Sequence, residues 1–278
     1  MLDKLYFDDL IITALKEDMP LGDVTTDNTV KPGTKAKAVL LAKQDMIVAG
    51  LDVFERVFKL LDESTSFIRH AEDGEHISKG AVFLEFEGEA SVLLKGERTA
   101  LNFMQHLSGI ATKTAEFCKQ VEDLPVKVTD TRKTVPGLRN LDKYAVRIGG
   151  GYNHRFCLSD GVLIKDNHIK AAGGITQAVR QVRAGIPHTL KIEVETETLE
   201  QVKEALECGA DIIMFDNMSI GMMTEAAGLV SGRALTEASG DVNLDTIRSV
   251  ALTGVDIISV GELTHTVKAA NISMRFVD

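Results

Sequence analysis

The sequence predicts an α/β protein in which a mixed α/β amino-terminal region precedes an open, incomplete parallel α/β barrel. After Leu124-Pro125, short apolar runs alternate with helical segments, which is the pattern of βα units in a mostly parallel sheet. Six of these runs end in polar or charged residues, as strands do where a barrel builds its active site. A complete eight-stranded barrel typically needs about 250 residues, so the part from Val126 onward has room for an incomplete barrel only.

The amino-terminal region mixes helices and strands. "FDDLIITALKED" and "LDVFERVFKLLD" have helical spacing, whereas "AKAVLLAKQDMIVAG" and "AVFLEFEGEA" are typical of strands. A longer helix is predicted from Ser91 to about Val121, with an interruption near "LSGIAT". The first residues, "MLDKLYFDDLIITALKEDMP", carry acidic side chains where a signal peptide carries basic ones, so no signal peptide is expected.

The composition is typical of a soluble globular protein and argues against several classes of partner. The 278-residue chain has a net charge of -10, which argues against a broad nucleic-acid or anionic-membrane surface. No apolar run approaches the roughly 18 residues of a membrane span. Cys118, Cys157 and Cys208 match no metal or redox spacing, which predicts reduced thiols in a cytoplasmic protein.

The barrel strands are predicted in "VKVTDTRKT", "GVLIKDNH", "LKIEVET", "DIIMFDN", "RALTEASG" and "DIISVG". Helices are predicted between them in "ITQAVRQVRAG", "ETLEQVKEALECGA" and "NLDTIRSVALTG". In "TLKIEVETE", Lys191, Glu193 and Glu195 alternate along the strand and therefore share one face. A solvated face is the ordinary explanation. The repeated polar endings favour the barrel interior instead, where opposite charges and a polar ligand offset the cost of burial.

The densest candidate chemistry lies in "DTRKTVPGLRNLDKYAVRIGGGYNHR". This run gathers the cationic or ionisable residues Arg132, Lys133, Arg139, Lys143, Arg147, His154 and Arg155. A polycarboxylate or polyphosphate ligand would explain the concentration, because arginine grips carboxylate and phosphate oxygens with a planar fork and lysine supplies a point charge. A basic surface loop is the alternative explanation. The position of Arg132 and Lys133 directly after an apolar strand favours a site.

Two later segments, "EASGDVN" and "SVGELTHT", suggest a phosphate site. Each places small residues between a strand end and a helix start, where free backbone N–H groups bind phosphate. Simple turn glycines remain the alternative for Gly240 and Gly261. Glu193 and Asp216 end neighbouring strands, and such a pair can coordinate a divalent cation carried by a pyrophosphate. Ion pairs with lysine are the alternative for these carboxylates.

The chain resembles the quinolinate phosphoribosyltransferases, which form the type II phosphoribosyltransferase group. The resemblance rests on "GDVTT", "ERTALN", "DTRKTVPGLR", "KYAVRIGGGYNHR", "KDNH", "KIEVE", "MFDN", "EASG" and "VDIISVGELTH", which follow one another in the family's order. It implies an α/β sandwich domain over residues 1–105, rejoined by residues 267–278, and an open barrel of about seven strands over residues 106–266. It also implies a homodimer, or an assembly of dimers, with active sites shared between subunits.

The reaction implied by the resemblance joins quinolinate to phosphoribosyl pyrophosphate and yields nicotinate mononucleotide, pyrophosphate and carbon dioxide, a step of NAD biosynthesis. For quinolinate the resemblance implies Arg98 of the partner subunit together with Arg132, Lys133, His154, Arg155 and Lys165. For the phosphoribosyl donor it implies Glu193, Asp216, Ser239, Gly240, Gly261 and His265. Lys133, Lys165, Glu193 and Asp216 are the implied catalytic residues. Mg²⁺ would be bound mainly with the donor, beside Glu193 and Asp216, and no organic cofactor is expected.

Asp241 departs from the family pattern, in which glycine or asparagine generally follows the Ser-Gly pair. A carboxylate there would repel the 5′-phosphate unless it turns away to cap the helix that begins in "NLDTIRSV". Three rival functions remain open. The first is the same transfer to nicotinate or another pyridine-like acceptor. The second is a Schiff-base lyase that uses Lys133, Lys165 or Lys191, and the third is a non-catalytic sensor of the donor.

Overall fold

The computed structural model describes residues 4–278, with side chains from Phe7 onward, and its contacts divide the chain into two units. The first unit contains the residues up to Ala115 together with Val135–Gly150 and Val267–Asp278. The second contains Glu116–Thr134 and Gly151–Thr266. Residues 1–3 lie outside the described residues. They begin the segment for which no signal peptide was expected. No helix within residues 4–278 is both long and apolar enough to cross a membrane.

The first unit is built on a four-stranded antiparallel sheet with the order β12-β1-β5-β3. Its helices are α1 (Lys4–Asp18), α2 (Val24–Thr29), α3 (Leu51–Leu61), α4 (Ala90–Lys119, which belongs to this unit as far as Ala115) and α5 (Arg139–Ile148). Its strands are β1 (Lys35–Ala42), β2 (Met46–Ile47), β3 (Ser66–Arg69), β4 (His76–Ile77), β5 (Val82–Glu89) and β12 (Ile272–Val277). Because β12 pairs with β1, the end of the chain belongs to this unit.

The core of the first unit lies between its sheet and α3. Phe86 on β5 is buried, and its ring lies 5.2 to 5.7 Å from the rings of Phe54, Phe58 and Phe67. Phe54 and Phe58 are four residues apart on α3, so they occupy one helix face. This contact between an alternating strand and a helical stripe explains why the two sequence periods correctly predicted strand and helix here.

Helix α4 runs without the interruption that was predicted near "LSGIAT". Ser108 and Gly109, which belong to the predicted interruption, lie within the helix, and each makes a close contact with another segment. The hydroxyl of Ser108 accepts a hydrogen bond from the backbone N–H of Ala49 at 3.0 Å. A Cβ at position 109 would come 2.4 Å from the backbone oxygen of Lys268. The glycine therefore permits a close approach of two backbones rather than marking a break.

The second unit is an open α/β barrel with six parallel strands in the order β6-β11-β10-β9-β8-β7. These strands are β6 (Lys127–Thr129), β7 (Val162–Ile164), β8 (Ile192–Thr196), β9 (Ile212–Asp216), β10 (Leu235–Ser239) and β11 (Ile257–Ser259). The helices are α6 (Asp166–Ala172), α7 (Ile175–Gly185), α8 (Leu199–Glu207), α9 (Ile220–Val230), α10 (Ile247–Ala251) and α11 (Glu262–His265). An isolated parallel β-bridge between Thr129 and Tyr152 places the backbone of Tyr152 beside β6, where a seventh strand would lie. The predicted fold class is confirmed.

The division into units differs from the predicted boundary at residues 105 and 106, which falls inside α4. Helix α5 also belongs to the first unit, although it was predicted to be part of the barrel. Two contacts explain its position. The Nε2 atom of His106 on α4 lies 2.7 Å from the buried carboxylate of Asp142 on α5. A Cβ at Gly149 would come 2.4 Å from the backbone oxygen of Ala111, so α5 ends directly against α4.

Candidate active site

A pocket of about 910 Å³ lies at the carboxyl ends of the six barrel strands. Every strand contributes at least one residue at or just beyond its end, because parallel strands end at the same edge of the sheet. The predicted site residues that line the pocket are Arg132, Lys133, His154, Arg155, Lys165, Asp216, Ser239, Gly240, Gly261 and His265. Two predicted site residues lie elsewhere. Arg98 is exposed on α4 of the first unit, and Glu193 is buried behind the pocket surface.

The cationic run is divided by the fold. Arg132, Lys133, His154 and Arg155 line the pocket, whereas Arg139, Lys143 and Arg147 lie on α5 in the first unit. Lys143 is fully buried and Arg147 is exposed. The pocket therefore gathers four of the seven residues, because a ten-residue helix separates the two pocket-lining segments in the sequence and carries the other three.

Arg132 and Arg155, which we call the arginine pair, are both half-buried at the pocket. The Nη1 atom of Arg155 donates to the backbone oxygen of Gly161 at 2.8 Å. The Nε atoms of both arginines are buried and find no hydrogen-bond acceptor within residues 4–278. Burial, followed by the neighbouring charge of Arg132, lowers the pKa of Arg155. Two close guanidinium groups with unused N–H donors form a site that suits an anion with several oxygens.

Asp130 holds the segment that carries His154 and Arg155 against β6. The side chain of Asp130 is fully buried and accepts hydrogen bonds from Nδ2 of Asn153 at 2.7 Å and from the backbone N–H of His154 at 2.9 Å. The backbone N–H of Tyr152 donates to the oxygen of Val128 at 2.8 Å. Asp130 was not among the predicted site residues, yet it positions two of the predicted ligand-binding residues.

The three charged residues that alternate in "TLKIEVETE" have different environments in the structure. Lys191 precedes the strand and is exposed, so the prediction that it points into the barrel is wrong. Glu195 lines the pocket, and Nζ of Lys165 lies 2.6 Å from its carboxylate. Glu193 is only 3% exposed and lies deeper in the barrel. Of the two predicted cation ligands, Asp216 lines the pocket and Glu193 does not.

Glu193, His154 and Glu237 form a buried group that we call the carboxyl cluster. The Nε2 atom of His154 lies 3.0 Å from Glu193 and 3.6 Å from Glu237. The Nδ1 atom of His154 accepts the backbone N–H of Arg155 at 2.8 Å. Burial, followed by the charge of Glu193, raises the pKa of Glu237 to about 8. Glu237 was not among the predicted site residues, although it stands two residues before Ser239 on β10 just as Glu193 stands two residues before Glu195 on β8.

The opposite side of the pocket contains the predicted phosphate positions. Gly240 has φ of 107°, and a Cβ there would come 2.2 Å from Oδ1 of Asn217, so both conformation and space require glycine. Asp241 adopts a left-handed conformation, with φ of 46°, and its side chain lines the pocket. The helix-capping alternative for Asp241 is wrong, because the N-cap of α10 is Thr246. The turn before α10 is held by Asn243, whose Oδ1 accepts the N–H of Thr246 at 3.1 Å.

Comparison with known families decides where the chain belongs. The family description "Quinolinate phosphoribosyl transferase, C-terminal domain" matches residues 110–275, and the corresponding N-terminal domain matches residues 23–108. The chain belongs to this family. The resemblance drawn from the series of motifs is thereby confirmed.

Relatives and solved structures of the family match nearly the whole chain. A probable nicotinate-nucleotide pyrophosphorylase (carboxylating) of Bacillus subtilis is 47% identical over 258 residues, which is 93% of this chain and 89% of that protein. A quinolinate phosphoribosyltransferase (decarboxylating) 2, mitochondrial, of Nicotiana glauca is 43% identical over 94% of this chain and 80% of that protein. The crystal structure of NadC from Streptococcus pyogenes is 43% identical, has a TM-score of 0.96 and covers 100% of this chain, which covers 99% of that structure.

Proposed function

We propose that this chain transfers the phosphoribosyl group of phosphoribosyl pyrophosphate to quinolinate, with release of pyrophosphate and carbon dioxide. The product is nicotinate mononucleotide, a precursor of NAD. The names of the relatives from Bacillus subtilis and Nicotiana glauca describe this reaction from its two directions. The observation that carries the proposal is the arginine pair, because its unused N–H groups suit a ligand with two carboxylates.

The acceptor end of the pocket is the side with the arginine pair. Quinolinate is a dianion whose two carboxylates are adjacent on a pyridine ring, so a single acceptor molecule can offset the repulsion between Arg132 and Arg155. Lys133 and Lys165 add positive charge at the same pocket. Arginine suits this role better than lysine because its planar fork fixes the orientation of a carboxylate. A fixed ring orientation aims the pyridine nitrogen at the reacting carbon and turns a two-body encounter into an oriented one.

The donor end is the side with Ser239, Gly240, Gly261 and His265. We assign the 5′-phosphate to these positions. Asp216 is half-buried and its carboxylate accepts a hydrogen bond from Nδ2 of Asn217 at 2.9 Å, so it offers hard oxygen ligands at the pocket surface. Such ligands fit the Mg²⁺ that accompanies a pyrophosphate, and the ion would neutralise charge on the leaving group.

Bond breaking at the ribose leaves positive charge on the sugar, and the carboxylates of Asp216 and Glu195 are suited to stabilise it. We assign to Glu195 the role that the family resemblance implied for Glu193, because Glu195 lines the pocket and Glu193 does not. The pair of Lys165 and Glu195 keeps this carboxylate in a defined position. After transfer, the C–C bond to the adjacent carboxylate breaks and carbon dioxide leaves, while the electron pair of that bond stays on the ring carbon, where the neighbouring cationic nitrogen stabilises it. That carbon then takes up a proton from solvent, and no organic cofactor is needed.

We also propose a cytoplasmic homodimer in which Arg98 of the partner subunit completes the acceptor site. Arg98 is exposed on α4, as a residue that serves a neighbouring molecule must be before assembly. All three cysteines are free thiols, which suits a reducing compartment. Size measurement by light scattering, combined with loss of activity in an Arg98→Ala variant, would support this arrangement. A fully active monomer would contradict it.

The function is tested by incubating the purified protein with phosphoribosyl pyrophosphate and Mg²⁺, with quinolinate or nicotinate supplied in parallel. Mononucleotide and carbon dioxide formed from quinolinate alone would support the proposal. Product from nicotinate alone would make the chain a transferase for a related acceptor. Trapping of a substrate by borohydride would instead indicate a Schiff-base lyase, for which the exposed Lys191 is already unsuited.

A further inference from the structure

The carboxyl cluster contains more hydrogen-bond acceptors than donors. Glu237 is 1% exposed and Glu193 is 3% exposed, and an Oε1 atom of each is buried without a hydrogen-bond partner within residues 4–278. Buried carboxylate oxygens that accept nothing are costly, because desolvation is then not offset. The cluster must therefore acquire either a cation or an additional proton.

The hydrogen bonds of His154 decide between these two possibilities. Its Nδ1 atom accepts the backbone N–H of Arg155, so that nitrogen carries no proton and the proton of the neutral ring is on Nε2. The Nε2 atom points at Glu193 from 3.0 Å and acts as a donor, so it has no lone pair left for a metal ion. A doubly protonated ring would place an Nδ1–H against the N–H of Arg155. The additional proton therefore belongs on a carboxyl group.

We propose that Glu237 is a positioning residue that works as a neutral carboxylic acid and supplies the missing donor to the carboxyl cluster. In this state one proton on Glu237 and one on Nε2 of His154 serve the two carboxyl groups. The cluster, of which Glu237 and His154 line the pocket, then carries a single negative charge instead of two. The role of Glu237 in turnover rests on the proposed function, but its protonation does not.

The surroundings of Glu237 support the neutral form. Burial and the charge of Glu193 on β8 raise the pKa of Glu237, whereas His154, the hydroxyl of Ser259 on β11 and Lys165 after β7 lower it by less. Arg155 faces Glu193 as well, and the charge of Glu193 acts to raise the pKa of Arg155. The additional proton is thus best held on Glu237.

Glu237 acts on the pocket through His154. His154 lines the pocket beside Arg155, and its ring is held by the backbone N–H of Arg155 on one side and by Glu193 on the other. A second negative charge at Glu237 would draw the Nε2–H away from Glu193 and would also attract the guanidinium of Arg155. A neutral Glu237 keeps both side chains in the orientation that the acceptor requires.

The proposal is tested with Glu237→Gln and Glu237→Ala variants. We expect Glu237→Ala to lower kcat/KM about tenfold and Tm by several degrees. Glutamine has the shape of glutamic acid and retains a hydrogen-bond donor, so Glu237→Gln should keep most of the wild-type activity and stability. The matched control is Glu195→Gln compared with Glu195→Ala. Glu195 is ion-paired with Lys165, so its charge is needed and Gln should rescue little there.

The pH dependence of stability gives a readout that does not depend on turnover. The folded-state pKa of Glu237 is raised above its ordinary value of 4.5, so its contribution to stability is complete below pH 4.5 and is lost as the pH rises through about 8. Over the range from pH 5 to 9, the Tm of the Glu237→Gln variant should therefore fall less than that of the wild type. Infrared difference spectra between the two proteins at pH 6 should show a protonated carboxyl band.

Three results would overturn the proposal. The first is parallel pH profiles of Tm for the wild type and Glu237→Gln, and the second is the absence of the protonated carboxyl band. The third is a wild-type Tm that falls with EDTA and recovers with Zn²⁺ while that of Glu237→Gln does not respond, since this would make the cluster a metal site. Failure of the wild type to turn over quinolinate would reject the proposed function but would leave these stability and infrared tests intact.

Discussion

The arginine pair and the carboxyl cluster lie close together at one pocket, and both contain buried polar atoms that have no hydrogen-bond partner in the part of the chain that the structure describes. They differ in access and in what can satisfy those atoms. The arginine pair lines the pocket and is half-buried, so a ligand from solution can supply the missing acceptors. The two carboxyl groups of the carboxyl cluster are at most 3% exposed, although Glu237 and His154 belong to the pocket lining, so a proton is the species that fits their buried oxygens. An unsatisfied buried group thus indicates a ligand only where a ligand can reach it.

The largest expected effect is that of Arg132→Lys on the acceptor site. Lysine keeps the charge but loses the planar fork, so we expect kcat/KM for quinolinate to fall about 30-fold or more, mostly through KM. Steady-state kinetics with quinolinate as the varied substrate measure this change. The matched control is Arg180→Lys, because Arg180 is exposed on α7. Equal kinetics for Arg132→Lys and the wild type would mean that the arginine pair does not bind the acceptor.

A second variant, His154→Ala, removes the donor that the carboxyl cluster shares. Two buried carboxyl groups would then have one proton fewer between them, which should reduce the free energy of unfolding by about 2 kcal/mol near neutral pH. The loss should shrink at pH 5, because the carboxyl groups can take up a further proton there. Urea unfolding at both pH values measures the difference. A loss that does not change with pH would indicate a simple packing defect.

The smallest expected effect is that of Asp241→Asn at the phosphate end. Asparagine tolerates the left-handed backbone at this position and removes a negative charge that faces an anionic donor. We expect KM for phosphoribosyl pyrophosphate to fall about threefold, with less change at high ionic strength because exposed charges are screened. Kinetics at two salt concentrations measure this. An increase in KM would show that Asp241 contributes to donor binding, for example by holding the accompanying cation.

Much of the barrel could be predicted from the sequence, because strand and helix periods are local properties. Helix α7 was predicted over residues 175–185, the range that it occupies. The polar strand endings correctly predicted a site at one edge of the sheet, since parallel strands must end together. The break near Gly109 was predicted wrongly because the reason for that glycine is a contact with Lys268, which no local pattern contains.

The choice among similar residues needed the tertiary structure. Glu193 and Glu195 occupy the same face of one strand, so the sequence makes them equivalent. The two side chains differ in burial because they have different partners. Glu193 contacts His154, whose backbone is held by Asp130, whereas Glu195 forms an ion pair with Lys165 at the pocket. By itself the sequence determined where the barrel strands lie, that polar and charged residues follow each of them, and to which family the chain belongs. Only the packing of distant segments decided which charges meet a ligand, which meet one another and where a proton must remain, because burial depends on the whole fold.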